Sequence, residues 1–307
     1  IPSYNPLDII NNLLKIINLK GEIKDSSKLK ELIPWYRGFK GKVINEGDGK
    51  YSIHGIWERV SDKEVRITEI PIGEKEYKSF IEDKMKSKKD KDKKSIIKDY
   101  KELHKDEETN MNYIIIFESK EILDELIKNN LLEKELKLCN STHINNMWVY
   151  NEKLTLVKYK NPNDLLLDFY NLRIIYYEKR RLFWIKILEH QSLILKNKIR
   201  FIKDYINGTL NINKKKKQEL IQILENQKFF KKIEEILPEI SSEITKVENK
   251  TGFEYLWNMP IITLTLEKIK ELENELSKVS KELDELKTKT KYDIWKNELL
   301  FLEKNLK

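Results

Sequence analysis

The sequence predicts an α+β chain: a mixed α/β half, then two long helices that return on each other, with a small helical knob between them. Three features lead there. The first half holds short strand-like stretches separated by glycine turns. From Asn163 to about Ile206 no proline or glycine interrupts the chain. Near the end Leu272, Leu276, Val279, Leu283 and Leu286 step by four and three, the spacing of a coiled-coil seam. At 307 residues the chain is also too long for one small core and suits two domains, 1–161 and 162–307.

The elements follow in order. Asn5-Pro6 opens a helix whose Leu7, Ile10, Leu14 and Ile17 form one apolar stripe. Strands are expected at Lys42–Ile44, Tyr51–His54, Val65–Ile70 and Tyr113–Phe117, with Gly47-Asp48-Gly49 turning a hairpin between the first two. Residues 84–105 carry ten lysines against four acids, and 84–94 show no apolar period. A solvated loop is expected there. After Asn161-Pro162 the character changes. Leu188, Ser192, Leu195, Ile199 and Ile202 carry the four-three rhythm, and some 45 helical residues reach roughly 65 Å. Each long helix has one narrow stripe. Antiparallel pairing of about 163–206 with about 262–307 buries both within one chain. Gly208 ends the first of them. Leu224, Phe229, Phe230, Ile233 and Leu237 then crowd a short segment of the intervening 207–261. That is more apolar surface than a distal knob hides alone, so these five are expected to form a dimer contact.

Composition narrows the function classes. The net charge of +8 suits a polyanionic partner, although neither half concentrates it. No apolar run approaches a membrane span, and the Ile1-Pro2 start is not a signal peptide. Cys139 is the lone cysteine, which fits a reducing compartment. His54, His104, His143 and His190 are far apart with no cysteine or carboxylate at ligand spacing, so no metal site is expected. Nine scattered glycines offer no phosphate-cradling loop. Among basic segments, Arg37, Lys40 and Lys42 lie in a glycine-punctuated loop where cations can approach phosphates without reading bases. Thr142, Asn145 and Asn146 can hydrogen-bond phosphates as well. A solvated basic turn is the plainer alternative for the loop.

A series of motifs carries a resemblance. Ile1-Pro2-Ser3-Tyr4-Asn5-Pro6 leads into Pro34-Trp35-Tyr36-Arg37-Gly38-Phe39-Lys40-Gly41. Further on come Ile67-Thr68-Glu69-Ile70-Pro71, then Asp99-Tyr100 with Glu102 and His104, then Asn145-Asn146-Met147. The long helix holds Phe169-Tyr170, Leu172-Arg173, Tyr176-Tyr177 and Lys179-Arg180, and the returning limb Tyr255-Leu256, Met259, Leu264-Thr265, Glu267 and Asp293-Ile294-Trp295. In this order over nearly the whole chain they resemble the C-terminal part of the breakage–reunion core of eukaryotic-type type IIA DNA topoisomerases. One departure is Ile72–Tyr77, about two residues shorter than the family's segment and lacking its tryptophan.

The resemblance implies a mixed α/β tower domain that supports bent DNA, then an antiparallel two-helix coiled-coil stalk ending in a helical dimerisation knob, the exit gate. It implies a nuclear homodimer that passes one duplex through a transient double-strand break in another, using ATP and Mg²⁺. It places the nucleophilic tyrosine, its arginine and the metal carboxylates before Ile1 and the ATPase in another part of the enzyme, so no catalytic residue or bound cofactor is expected in this segment. Tyr36 is then a packing or phosphate-contact residue. The rival class is a non-enzymatic coiled-coil DNA-binding scaffold, which has no reason to carry the ordered motifs. A bacterial gyrase-type subunit is disfavoured by Pro34-Trp35-Tyr36-Arg37-Gly38-Phe39.

Overall fold

Asn5 caps the first helix, α1 (Pro6–Asn18), its Oδ1 accepting from the Leu7 amide at 3.0 Å, and Pro6 fills the first turn where no donor is needed. The computed structural model describes residues 1–74, 76–86, 96–103, 111–212, 215–231 and 252–306. Two compact units emerge: Ile1–Asn171 with the last residues from Glu303, and Leu172–Leu302.

In the first unit α1 buries Ile10, Leu13, Ile16 and Ile17. Asn12 lies among them, 2% exposed, and is satisfied by a closed network. Its Nδ2 donates to the Lys30 carbonyl (2.8 Å) and to Asn163 Oδ1 (3.1 Å), while its Oδ1 accepts from the Lys30 amide (3.0 Å). Asn163 Nδ2 donates to the same carbonyl at 3.0 Å. Asn12→Leu should therefore cost about 1–3 kcal/mol in urea unfolding, because it leaves the Lys30 amide and the buried Asn163 Oδ1 without their partner. A neutral substitution would mean that water replaces the amide.

Three antiparallel sheets follow. The first has order β1-β2-β7, from β1 (Lys42–Gly47), β2 (Lys50–His54) and β7 (Cys139–His143). The second has order β3-β4-β6-β5, from β3 (Ile56–Arg59), β4 (Glu64–Glu69), β6 (Tyr113–Phe117) and β5 (Ile97–Glu102). A hairpin pairs β8 (Met147–Tyr150) with β9 (Leu156–Tyr159). In the second sheet Val65 and Ile67 alternate inward on β4, as do Tyr113, Ile115 and Phe117 on β6. They meet Tyr77 and Ile81 of α2 (Tyr77–Lys86), Leu123 and Leu126 of α3 (Lys120–Lys128) and Leu132 of α4 (Leu132–Glu135) in one core. Of the lysine-rich segment, residues 87–95, 104 and 105 lie outside the described residues; its described parts are mostly helix and strand, not loop. Lys84–Lys86 end α2, and Ile97–Glu102 form an edge strand whose outward side chains are polar, so no apolar period marks it.

One helix, α5, runs from Pro162 to Ile206. In the second unit its Leu195, Ile199 and Ile202 cluster with Ile269 and Leu272 of α8 (Leu266–Thr288). Ion pairs continue this contact, Lys203–Glu273 and Glu189–Lys287, at 2.8 and 2.7 Å. Going 14 residues back on α5 (203 to 189) goes 14 forward on α8 (273 to 287). The returning limb is not one helix, however. Lys289 is extended, and Thr290 caps α9 (Lys291–Leu306) reciprocally with Asp293.

Between α5 and α8 lie α6 (Lys217–Asn226) and α7 (Glu254–Trp257). Phe201, Leu210, Leu224, Phe229, Phe253 and Leu256 form a core there. Leu224 and Phe229 are 2% and 5% exposed, which corrects the expectation that they face a second subunit. The end of α5 and the 253–264 segment supply the interior that a lone hairpin lacks. Phe230 is half-buried against His190, ring centroids 5.5 Å apart. Ile233 and Leu237 lie outside the described residues.

Candidate nucleic-acid interface

The candidate cations sit where the chain turns from the Tyr4–Pro34 bridge into β1. Trp35 N donates to the Ser3 carbonyl at 2.8 Å, and Phe39 N to the Tyr36 carbonyl at 3.2 Å, closing a turn through Gly38 at φ +83°. Gly41 is required by a close approach: a Cβ there would lie 2.1 Å from the His54 carbonyl oxygen. Arg37, Lys40 and Lys42 are exposed. The Lys40 amide donates to Glu69 Oε2 at 3.2 Å, which pins the loop to the end of β4.

Strand register decides which groups share a face. Lys42 pairs with His54 and His54 with Cys139; Ile44 pairs with Ser52 and Ser52 with Ser141; Lys50 pairs with His143. These line the outer face. The inner face carries Tyr51 and Ile53, both 3% exposed, and Thr142 pairs with Tyr51 on that side. Thr142 is therefore not brought together with Lys42. Asn145 and Asn146 are exposed in the turn after β7. Asn145 packs over the Gly49 turn, where a glycine Cβ would meet its Oδ1 at 2.3 Å. The candidates thus occupy two ends of the sheet, roughly 13 Å apart along five residues of strand.

Lys50 and His143 share the outer face with Lys42 and escaped sequence reasoning, because β7 reads Cys-Asn-Ser-Thr-His with no apolar alternation. The hairpin adds another surface. Trp148 and Lys158 pair across it with the ammonium 5.9 Å from the ring centroid, and Trp148 and Tyr150 are exposed.

Tyr4 and Tyr51, beside the loop, are not activated. Tyr4 is held well above its ordinary range, by burial first and then by Tyr51 and Tyr36. Tyr51 is pushed up to about 12 by burial and by Glu31, whose carboxylate accepts its hydroxyl at 3.1 Å. Every tyrosine with a resolved shift moves upward, whether through burial or a carboxylate partner. A nucleophilic phenol needs the opposite.

The histidine spacing was misleading. His54 meets Glu133 and Cys139, 79 and 85 residues along the chain. This is the one group of three or more His, Cys, Asp or Glu ligands among the described residues. Its nitrogen and sulfur donors do not suit Mg²⁺, which takes oxygen ligands. Also among the described residues, no helix is long and apolar enough to cross a membrane.

Known proteins resemble the chain over nearly its whole length. The family of DNA gyrase/topoisomerase IV A subunits matches residues 1–300. The chain is 32% identical to DNA topoisomerase 2 of Penicillium chrysogenum, covering 97% of the chain and 19% of that protein. It is 30% identical to DNA topoisomerase 2 of Arabidopsis thaliana, over 100% of the chain and 22% of the relative. The crystal structure of the Plasmodium falciparum topoisomerase II DNA-binding, cleavage and re-ligation domain matches with a TM-score of 0.80 at 30% identity. That match covers 100% of this chain and 42% of the Plasmodium chain. The chain spans about a fifth of the length of these two curated relatives.

Proposed function

Because the chain belongs to the family of DNA gyrase/topoisomerase IV A subunits, we propose that it serves a type IIA DNA topoisomerase of the eukaryotic kind as a DNA support and exit gate. The whole protein, on this reading, is a nuclear homodimer that uses ATP and Mg²⁺ to cut a duplex, pass another through and reseal the break. Residues 1–161 act as the tower under the cut DNA. The stalk is an antiparallel coiled coil, with α5 as one limb and α8 and α9 as the other. Residues between the limbs form the knob that keeps subunits joined while the DNA is open.

The cationic loop carries the reading. Arg37, Lys40 and Lys42 are exposed on a segment pinned by Gly41 and Glu69, so their charges are presented from a fixed backbone. Cations of this kind contact phosphates, and each neutralised phosphate releases counterions. Thr142, on the inner face, is no longer part of the proposed contact set; Lys50 and His143 take its place.

Triple alanine replacement of Arg37, Lys40 and Lys42 in the full-length protein should weaken binding about equally on unrelated DNA sequences. The slope of log affinity against log salt should become shallower by up to roughly 0.9 for each phosphate left without its cation. Unchanged affinity and slope would reduce the loop to a solvated turn.

The knob reading shifts to other residues. Ile261 and Ile262 are 81% and 84% exposed, side by side in a 3-10 turn after Pro260, and Leu266 follows at 64%. A two-fold contact through this patch covers it on both subunits at once.

A further inference from the structure

His54 and Cys139 are register partners across β2 and β7, and Glu133 on α4 reaches the same end of the sheet. One donor atom from each lies within 4.8 Å of the others. The imidazole is held on both sides. Nδ1 is 2.7 Å from Glu133 Oε2, and Nε2 is 2.9 Å from Ser52 Oγ and 3.7 Å from Cys139 Sγ. Glu133 Oε1 in turn accepts from Trp57 Nε1 at 3.1 Å, fixing the carboxylate.

This arrangement leaves one nitrogen mismatched. Ser52 Oγ gives its single proton to Glu46 Oε1 at 2.6 Å, so toward His54 it presents a lone pair. Glu133 is an acceptor as well. A neutral imidazole has one N–H and satisfies one of these neighbours. With Nδ1–H directed at Glu133, the Nε2 lone pair faces an oxygen lone pair and a sulfur. A cation at Nε2, whether a second proton or a metal ion, removes the conflict.

We propose that His54, Cys139 and Glu133 form a binding site for a thiophilic divalent cation, zinc, with Cys139 Sγ and His54 Nε2 as ligands and Glu133 orienting the ring. Zinc takes sulfur at about 2.3 Å and imidazole nitrogen at about 2.0–2.1 Å, so two corners of a tetrahedron lie about 3.5 Å apart. The Sγ–Nε2 separation of 3.7 Å is near that before any adjustment. A carboxylate on the other ring nitrogen is the usual outer partner of a metal-bound histidine. Glu46 accepts from Ser52 Oγ beside the ring, and water completes the shell. Burial first, then Glu133 and Glu46, hold the Cys139 thiol above its ordinary range against the opposing Lys50. A dication reverses that balance and favours the thiolate. Binding would clip β2, β7 and α4 together and place positive charge beside Lys42, the register partner of His54. The site stands on its own geometry and not on the reading of the chain as a topoisomerase.

The test uses the reduced, chelator-stripped 307-residue chain, titrated with Co²⁺ and then with Zn²⁺ against a chromogenic chelator. One equivalent should bind, with a thiolate-to-cobalt charge-transfer band that zinc displaces. Cys139→Ser should abolish the band, His54→Gln should weaken zinc at least hundredfold, and Glu133→Gln roughly tenfold to hundredfold. Zinc should raise the thermal midpoint of the wild type and not of Cys139→Ser. Cys139 is exposed, so that variant keeps its fold, and circular dichroism checks it. The absence of a thiolate band at millimolar cobalt overturns the site. So does a band that survives His54→Gln, or zinc binding that Cys139→Ser leaves unchanged.

Discussion

Phe229→Ala should cost about 3–5 kcal/mol of the stability of the second unit, the range for emptying a buried aromatic site. Phe229 packs edge-on to Phe201 with ring centroids 6.2 Å apart and an interplanar angle of 76°. The Arg200 guanidinium lies 4.3 Å from its ring centroid. Its amide closes the end of α6 onto the Leu224 carbonyl at 2.9 Å, past Lys228 at φ +56°. Truncation therefore opens a cavity between α5 and the α6 turn and strips a cation of its aromatic partner. Chemical denaturation followed by tryptophan emission is a suitable readout, since Trp257 lies in the same cluster. Phe229→Glu should be worse, since it adds the desolvation of a carboxylate to the lost packing. A loss under about 1 kcal/mol would mean that the ring faces outward after all.

The same residue shows what could be read from sequence and what could not. Phe229 is plainly apolar, but its burial depends on Phe201, Phe253 and Leu256, which come from other segments. Local pattern has no access to that. By contrast α5 was legible nearly to the residue, because no proline or glycine interrupts 163–206 and the Leu188–Ile202 stripe repeats. So was the start of α1, written in Asn5-Pro6. Strands were legible where one face is buried, as in β4 and β6. They were missed where both faces are polar, as in β7, since hydrogen bonds to a neighbouring strand leave no mark on side-chain type. The break at Lys289-Thr290, just after the Leu272–Leu286 stripe, was not legible because a Thr–Asp capping box carries no proline or glycine.

The candidate site divides the same way. Arg37, Lys40 and Lys42 lie within six residues, so a basic, glycine-punctuated loop marks them in the sequence. Lys50 and His143 join them through the pairing of β2 with β7, which sets their common face. Glu133 and Cys139 lie 79 and 85 positions after His54, and only the tertiary fold brings them within ligand range of it.

The largest effect on assembly should come from Ile261→Glu with Ile262→Glu, which should weaken self-association of the chain by more than about a hundredfold. Covering one isoleucine is worth about 1.5–3 kcal/mol, and a two-fold contact covers four of them per dimer. Only the surplus over the cost of association appears as affinity, and a glutamate in place of each side chain removes the gain and adds a desolvation cost. Helix content should not change. Both side chains point to solvent in the isolated chain, and the Thr265 cap of α8 lies beyond the substituted pair, its Oγ1 accepting from the Lys268 amide at 3.3 Å. Phe229→Ala should behave differently, losing structure in the knob before it loses partners. Sedimentation at tens of micromolar, with circular dichroism on the same samples, separates the two outcomes. If the double glutamate chain stays dimeric while folded, the subunits meet elsewhere, and Ile261 and Ile262 are ordinary exposed residues.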